Sequence, residues 1–326
     1  MTNRRIGRLF VLGFDGLELP QDTLAFAKRF GLGGLILFRR NCTTGDAIRA
    51  MLAQARARLS EVDPDGAPLV LVDQEGGRVE RILDGVPHLP SARVLGASGE
   101  EAVERAAEVQ ARALRVLGVN VNLSPVCDVL QGGESGVIGD RSYGEDPGRV
   151  GALAAAFVRG SLRGGIVPCA KHFPGHGAAR VDSHKGLPVL EKPLAEWEAV
   201  DLPPFAAAVA AGVPLVMSAH LVCPSLSAGP STLCHSWLTG LLRGRLGFAG
   251  AVVTDDLEMG ALDGLGAPPE IALRAHRAGA DLLLYGRVLR PDLDVWQVAE
   301  RLERELADHE VDRALQRIAA LRSVPG

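Results

Sequence analysis

Eight short apolar runs, each followed by a helix-like stretch, constrain the fold of this chain more than any other feature. The runs are LFVLGF, GGLILF, PLVLVDQEGG, VNVNLSPVCDV, GIVPCAKHFPG, PLVMSAHLV, GAVVTDDLEMG and ADLLLYG. Their near-continuous apolar character predicts strands buried on both faces. Ala-, Leu- and Arg-rich segments such as EEAVERAAEVQARALRVLG separate them and read as helices. Strand then helix, eight times in roughly 300 residues, is what a (β/α)8 barrel, an α/β fold, requires. A doubly wound open sheet has the same alternation, but no GxGxxG opens a helix after the first strand. The last run ends near Gly286 and leaves about 40 residues, enough for closing helices but not for another domain. A single domain over residues 1–326 is therefore expected.

Composition narrows the partners. A formal net charge of −4 gives no electrostatic reason to expect nucleic acid or an anionic membrane. The most apolar segments, such as FAAAVAAGVPLVM, are too short and too broken by Pro and Gly to span a bilayer. No small-residue cleavage site follows the basic start MTNRRIGRLFVLGFDG, so no secretory leader is expected. The five cysteines form no CxxC pair, and Cys127 and Cys169 lie in apolar runs, where buried thiols are expected. A reducing cytoplasm suits that pattern.

In a barrel of this type the active site forms at the carboxyl ends of the strands. Polar residues gather at those ends here: Asp73, Lys171 with His172, His220, and Asp255 with Asp256. The segment KHFPGHGAARVDSHKGLP, Lys171 to Pro188, concentrates three histidines among glycines and prolines. His172 and His176 are four apart, yet Pro174 and Gly175 oppose a helix, and the glutamate of HExxH is missing. A His/Asp metal cluster at the barrel mouth stays open as an alternative. No GxSxG elbow supports a serine nucleophile. The remaining arrangement is a carboxylate nucleophile with a separate proton donor, as retaining glycosidases use. Asp255, following the apolar run GAVV, suits the first role. His184 of DSH suits the second, with Asp182 two residues earlier able to orient it in extended chain. An imidazole with an unperturbed pKa of about 6.5 can give and then take a proton near neutrality.

The segments VDQEGGRVERI, NLSPVCDV, IGDRSYGEDP, KHFPGHG, DSHKGLP, MSAHLVCP and VVTDDLEMGA closely resemble glycoside hydrolase family 3. Within it the chain is similar to single-domain β-N-acetylhexosaminidases of the peptidoglycan-recycling type, from about residue 8 to 286 and in the family's motif order. The resemblance implies that Asp255 is the nucleophile, His184 the acid/base and Asp182 its partner. It implies sugar contacts from Asp73, Arg81, Arg141, Lys171 and His172. Asp256 is expected to support the site, and His176 and His220 to fix loops rather than touch sugar.

Two departures from the family pattern bear on specificity. KGLP follows DSH where relatives carry an acidic or polar residue, which concerns the 174–188 loop. LLLYGRV stands where many relatives have a cysteine-asparagine type sequence, on the rim toward the leaving sugar. The expected activity is that of an exo-β-N-acetylglucosaminidase acting on GlcNAc–anhydroMurNAc or GlcNAc–MurNAc fragments. It needs no metal or organic cofactor, takes a small-molecule muropeptide or disaccharide as its partner, and works as a cytoplasmic monomer. A family 3 phosphorylase, a β-glucosidase and a non-catalytic sugar-binding barrel are the alternatives.

Overall fold

The computed structural model describes residues 4–132, 137–180, 183, 186–287, 289–290 and 293–324. All eight apolar runs form strands: β1 (Phe10–Leu12), β2 (Gly34–Leu37), β3 (Leu69–Val72), β6 (Val121–Asn122), β7 (Val167–Phe173), β8 (Leu215–Ser218), β9 (Ala251–Thr254) and β10 (Leu283–Tyr285). They pair in parallel in the order β10-β1-β2-β3-β6-β7-β8-β9. A parallel bridge between Val253 and Leu282 joins the two ends of that order, giving a nearly closed barrel. Each barrel strand is buried along its whole length, which is why the runs read as continuously apolar.

Some of the helices start at side-chain caps that the sequence supplies. Thr44 accepts from the Ala47 amide ahead of Gly45–Val62, and Asp146 accepts from the Arg149 amide ahead of Pro147–Arg163. Pro147 stands in the first turn, where its missing N–H costs nothing. Glu100–Leu117 ends at Gly118 in the left-handed conformation. Among the described residues no helix is long and apolar enough to cross a membrane.

Two features depart from the expected layout. The run PLVLVDQEGG is not one strand: after β3 the chain forms a separate antiparallel hairpin, β4 (Gln74–Gly76) with β5 (Val79–Glu80). Gly76 and Gly77 turn it with φ of +108° and +57°, values that side chains rarely tolerate. Lys171 and His172 lie inside β7 rather than at its end, and the pairing with β8 shifts register between Ala170 and Phe173. Both side chains line the site although the strand continues past them.

Candidate active site

The wall built by β3, the hairpin and β7 is an ion-paired network. The Lys171 ammonium donates to Asp73 Oδ1 at 2.7 Å and also lies 2.7 Å from Glu75 Oε1. Arg141, presented by a short 3-10 turn at Gly139–Arg141, grips Glu75 with Nε at 2.8 Å and Nη2 at 2.7 Å. Such a two-point pairing fixes orientation as well as charge. Arg81 Nη2 reaches Asp73 Oδ2 at 3.4 Å. Arg78, at the hairpin turn, donates to Asp140 and to the carbonyls of Val137 and Ile138, which ties down the loop that carries Arg141.

Charge follows from this packing. Burial pushes the Glu75 carboxyl up, but Arg141 and then Lys171 outweigh it and hold the group well below the usual carboxylate range. Asp73 behaves alike, burial being overcome by Lys171 and Arg81. Burial favours loss of the Lys171 proton, and the two carboxylates beside it reverse that and raise its pKa.

The adjoining part of the wall belongs to Asp128, fully buried behind β6. Its Oδ2 lies 2.7 Å from His172 Nδ1, and its Oδ1 accepts the backbone N–H of His172 and of His176. A carboxylate at Nδ1 leaves the His172 Nε2 edge to face the cavity, where Arg141 Nη2 stands 3.5 Å away. Burial raises the Asp128 carboxyl, but His172 prevails and lowers it.

The opposite wall comes from β9 and β10. The Asp255 amide donates to the Ser218 carbonyl at 3.0 Å, and Asp255 Oδ1 accepts the Asp256 amide at 2.8 Å. Asp256 accepts the amides of Glu258 and Gly286. Burial first, and the Glu258 carboxylate second, push its pKa up to about 7. Glu258 in turn accepts the backbone N–H groups of Arg287, Leu289 and Arg290, so the loop after β10 hangs on the turn after β9. His220 is fully buried; its Nε2 donates to the Asp256 carbonyl at 3.0 Å while Nδ1 meets Thr232 Oγ1 at 2.9 Å.

Between these walls lies a cavity of about 290 Å3. Asp73, Arg81, Arg141, Lys171, His172 and Asp255, all expected from sequence, line it together. Asp256, His176 and Ser183 line it as well. Asp182 and His184 lie outside the described residues. Ser183 between them is described: its Oγ lies 3.2 Å from His176 Nε2, and its carbonyl accepts the Ala261 amide at 3.1 Å. His176 bonds to Ser183, and His220 to Thr232 and the Asp256 carbonyl. Among the described residues no three His, Cys, Asp or Glu side chains are grouped to hold a metal ion.

Sequence reasoning missed two members, Glu75 and Asp128. An acid inside the apolar run SPVCDV was itself a signal, because aspartate is rarely buried without a partner. For Glu75 the signal was the Gly-Gly pair just after it, a hairpin cue that would have separated it from β3.

Comparison with known proteins places the chain in a family. The model of the family described as "Glycosyl hydrolase family 3 N terminal domain" matches residues 1–321. A β-hexosaminidase of Chromobacterium violaceum is 40% identical over 307 residues, 89% of this chain and 84% of that protein. A family 3 β-N-acetylglucosaminidase from Paenibacillus sp. superposes with a TM-score of 0.93 at 35% identity, covering 99% of this chain and 62% of that one. This chain thus spans under two thirds of that larger enzyme. NagZ from Neisseria gonorrhoeae, solved with N-trifluoroacetyl-D-glucosamine, gives 0.81 at 31% identity, covering 97% of this chain and 93% of that one. The chain belongs to glycosyl hydrolase family 3 and is a glycoside hydrolase whose homologues over most of its length are β-hexosaminidases.

Proposed function

We propose that the chain is a retaining exo-β-N-acetylglucosaminidase that removes a non-reducing terminal GlcNAc from peptidoglycan fragments, GlcNAc–anhydroMurNAc or GlcNAc–MurNAc, with or without peptide. The observation that carries this reading is Asp255 in one wall of a cavity whose other wall is Asp73, Arg81, Arg141, Lys171 and His172. The cavity, about 290 Å3, lies near the low end of small-molecule sites, which suits one ring rather than a chain. Charged acceptors and donors on one side match the ring's hydroxyls, and a carboxylate on the other matches its anomeric carbon. The NagZ relative solved with a glucosamine derivative supports the same sugar class.

In this mechanism Asp255 attacks the anomeric carbon while His184, oriented by Asp182, protonates the leaving oxygen. The glycosyl ester then yields to water that His184 deprotonates. A slow 5-fluoro glycosyl donor tests the nucleophile: mass spectrometry should find the label on the peptide containing Asp255, and label elsewhere would overturn the assignment. Product analysis in phosphate buffer separates hydrolysis, giving free sugar, from phosphorolysis, giving sugar 1-phosphate. The reading includes a single domain working as a cytoplasmic monomer.

One observation favours a second assignment of the proton donor. His172 with Asp128 is itself an imidazole–carboxylate pair in the cavity wall. His184→Ala should slow substrates with poor leaving groups far more than activated aryl glycosides. If His172→Ala shows that selectivity and His184→Ala does not, the acid/base is His172.

A further inference from the structure

Ser183 is the one described residue in the middle of the DSH motif, and it is attached twice. Its hydroxyl meets the His176 ring at Nε2, 3.2 Å away, and both side chains are almost wholly buried. His176 Nδ1 has no partner among the described residues, so the contact with Ser183 is that ring's one side-chain hydrogen bond there. The His176 backbone is itself bolted down: its amide donates to Asp128 Oδ1 at 2.7 Å. Gly177 follows so close to the Val129 carbonyl that a Cβ would lie 1.8 Å from its oxygen, and the Gly177 carbonyl accepts the Gln131 amide. On the other side, the Ser183 carbonyl accepts the amide of Ala261, in the 3-10 turn Gly260–Leu262 on the same loop as Asp255. One residue therefore joins the loop after β7 to the loop that carries the nucleophile.

We propose that Ser183 and His176 are positioning residues for proton transfer, fixing the chain at Ser183 against the turn that follows Asp255. The proposal rests on His184 being the acid/base. Burial, with His172 beside it, lowers the His176 pKa, which favours the neutral ring, and the ring's partner here is a hydroxyl rather than a carboxylate. Neither residue gives or takes the proton in the reaction. Their effect is geometric, and proton transfer is sensitive to small misplacement.

The test compares two aryl N-acetylglucosaminides, one with an activated dinitrophenolate leaving group and one with phenolate. Ser183→Ala is expected to lower kcat/KM for the phenyl glycoside about tenfold or more and for the dinitrophenyl glycoside less than about threefold. Azide, which replaces base-assisted water, should restore turnover of the activated substrate. His176→Phe keeps the ring's bulk and should reproduce this pattern. The double variant should lose no more than the worse single, because both act through one bond. Equal losses on both substrates, additive losses, or an unchanged Ser183→Ala enzyme would overturn the proposal. His184→Ala is the control: if it lacks the leaving-group effect, the acid/base assignment has failed. If it shows the effect while Ser183→Ala does not, only the positioning role has failed.

Discussion

The two walls of the sugar cavity treat their carboxylates in opposite ways. Glu75, on the hairpin wall, is the more buried, yet its pKa lies well below the usual range. Asp256, on the β9 wall, is half-buried and sits at about 7. Burial alone would give the reverse order. The neighbours decide: Glu75 has Arg141 and Lys171 against it, whereas Asp256 has backbone amides and a second carboxylate. One wall is thus built to stay fully charged, as the proposed grip on sugar hydroxyls requires. The other limits the charge beside Asp255, the proposed nucleophile.

The largest expected break in that contrast is Lys171→Met, which leaves Asp73 and Glu75 without their shared cation. Steady-state assays should show kcat/KM falling by about a thousandfold, and denaturant melts a loss of about 3–5 kcal/mol. Adding Asp73→Asn should recover part of the stability and none of the activity. Glu75→Gln comes next, with about a hundredfold loss in kcat/KM, because Arg141 loses the group that aims it.

Asp256→Asn should cost under about tenfold at pH 6, since the amide resembles the protonated acid. Its main effect is on the pH dependence of stability. The Asp256 pKa rises from 3.8 to about 7 on folding, so between those values the native state holds a proton that the unfolded chain has released. Its stabilising contribution is full below about pH 4 and lost as pH rises through about 7. Glu75 has the opposite sign: its contribution is present above its unfolded value and lost as pH falls through its folded one. Melting temperatures from pH 3 to 9 should therefore lose the fall between about pH 4 and 7 in Asp256→Asn and the acid slope in Glu75→Gln. The smallest effect belongs to Arg81→Lys, a severalfold rise in KM at nearly constant kcat, because its one contact to Asp73 is long.

The barrel was legible because a strand covered on both sides has to be apolar throughout, and eight such runs leave few architectures. The cavity residues Asp73, Lys171 and Asp255 were legible for a related reason: a charge directly after or within such a run has few places to go except the mouth. Glu75 and Asp128 were not read because their importance lies in contacts with segments far away in sequence. Glu75 matters through Arg141, 66 positions away, and Asp128 through His172, 44 away. The Gly76–Gly77 turn that swings Glu75 inward is written in the sequence, but only its partners reveal what it delivers.

The loop after β10 is gripped through its main chain, by Glu258 holding the amides of Arg287, Leu289 and Arg290. Main-chain anchoring places little demand on the side chains of Leu289 and Arg290, whereas Arg287, at φ +54° and paired with Asp22 at 2.7 Å, is constrained. Those two side chains can therefore be exchanged, by drift or by design, while the loop keeps its path. Under the proposed function, selectivity toward whatever leaves with the departing oxygen can thus be retuned at Leu289 and Arg290, provided position 258 stays acidic.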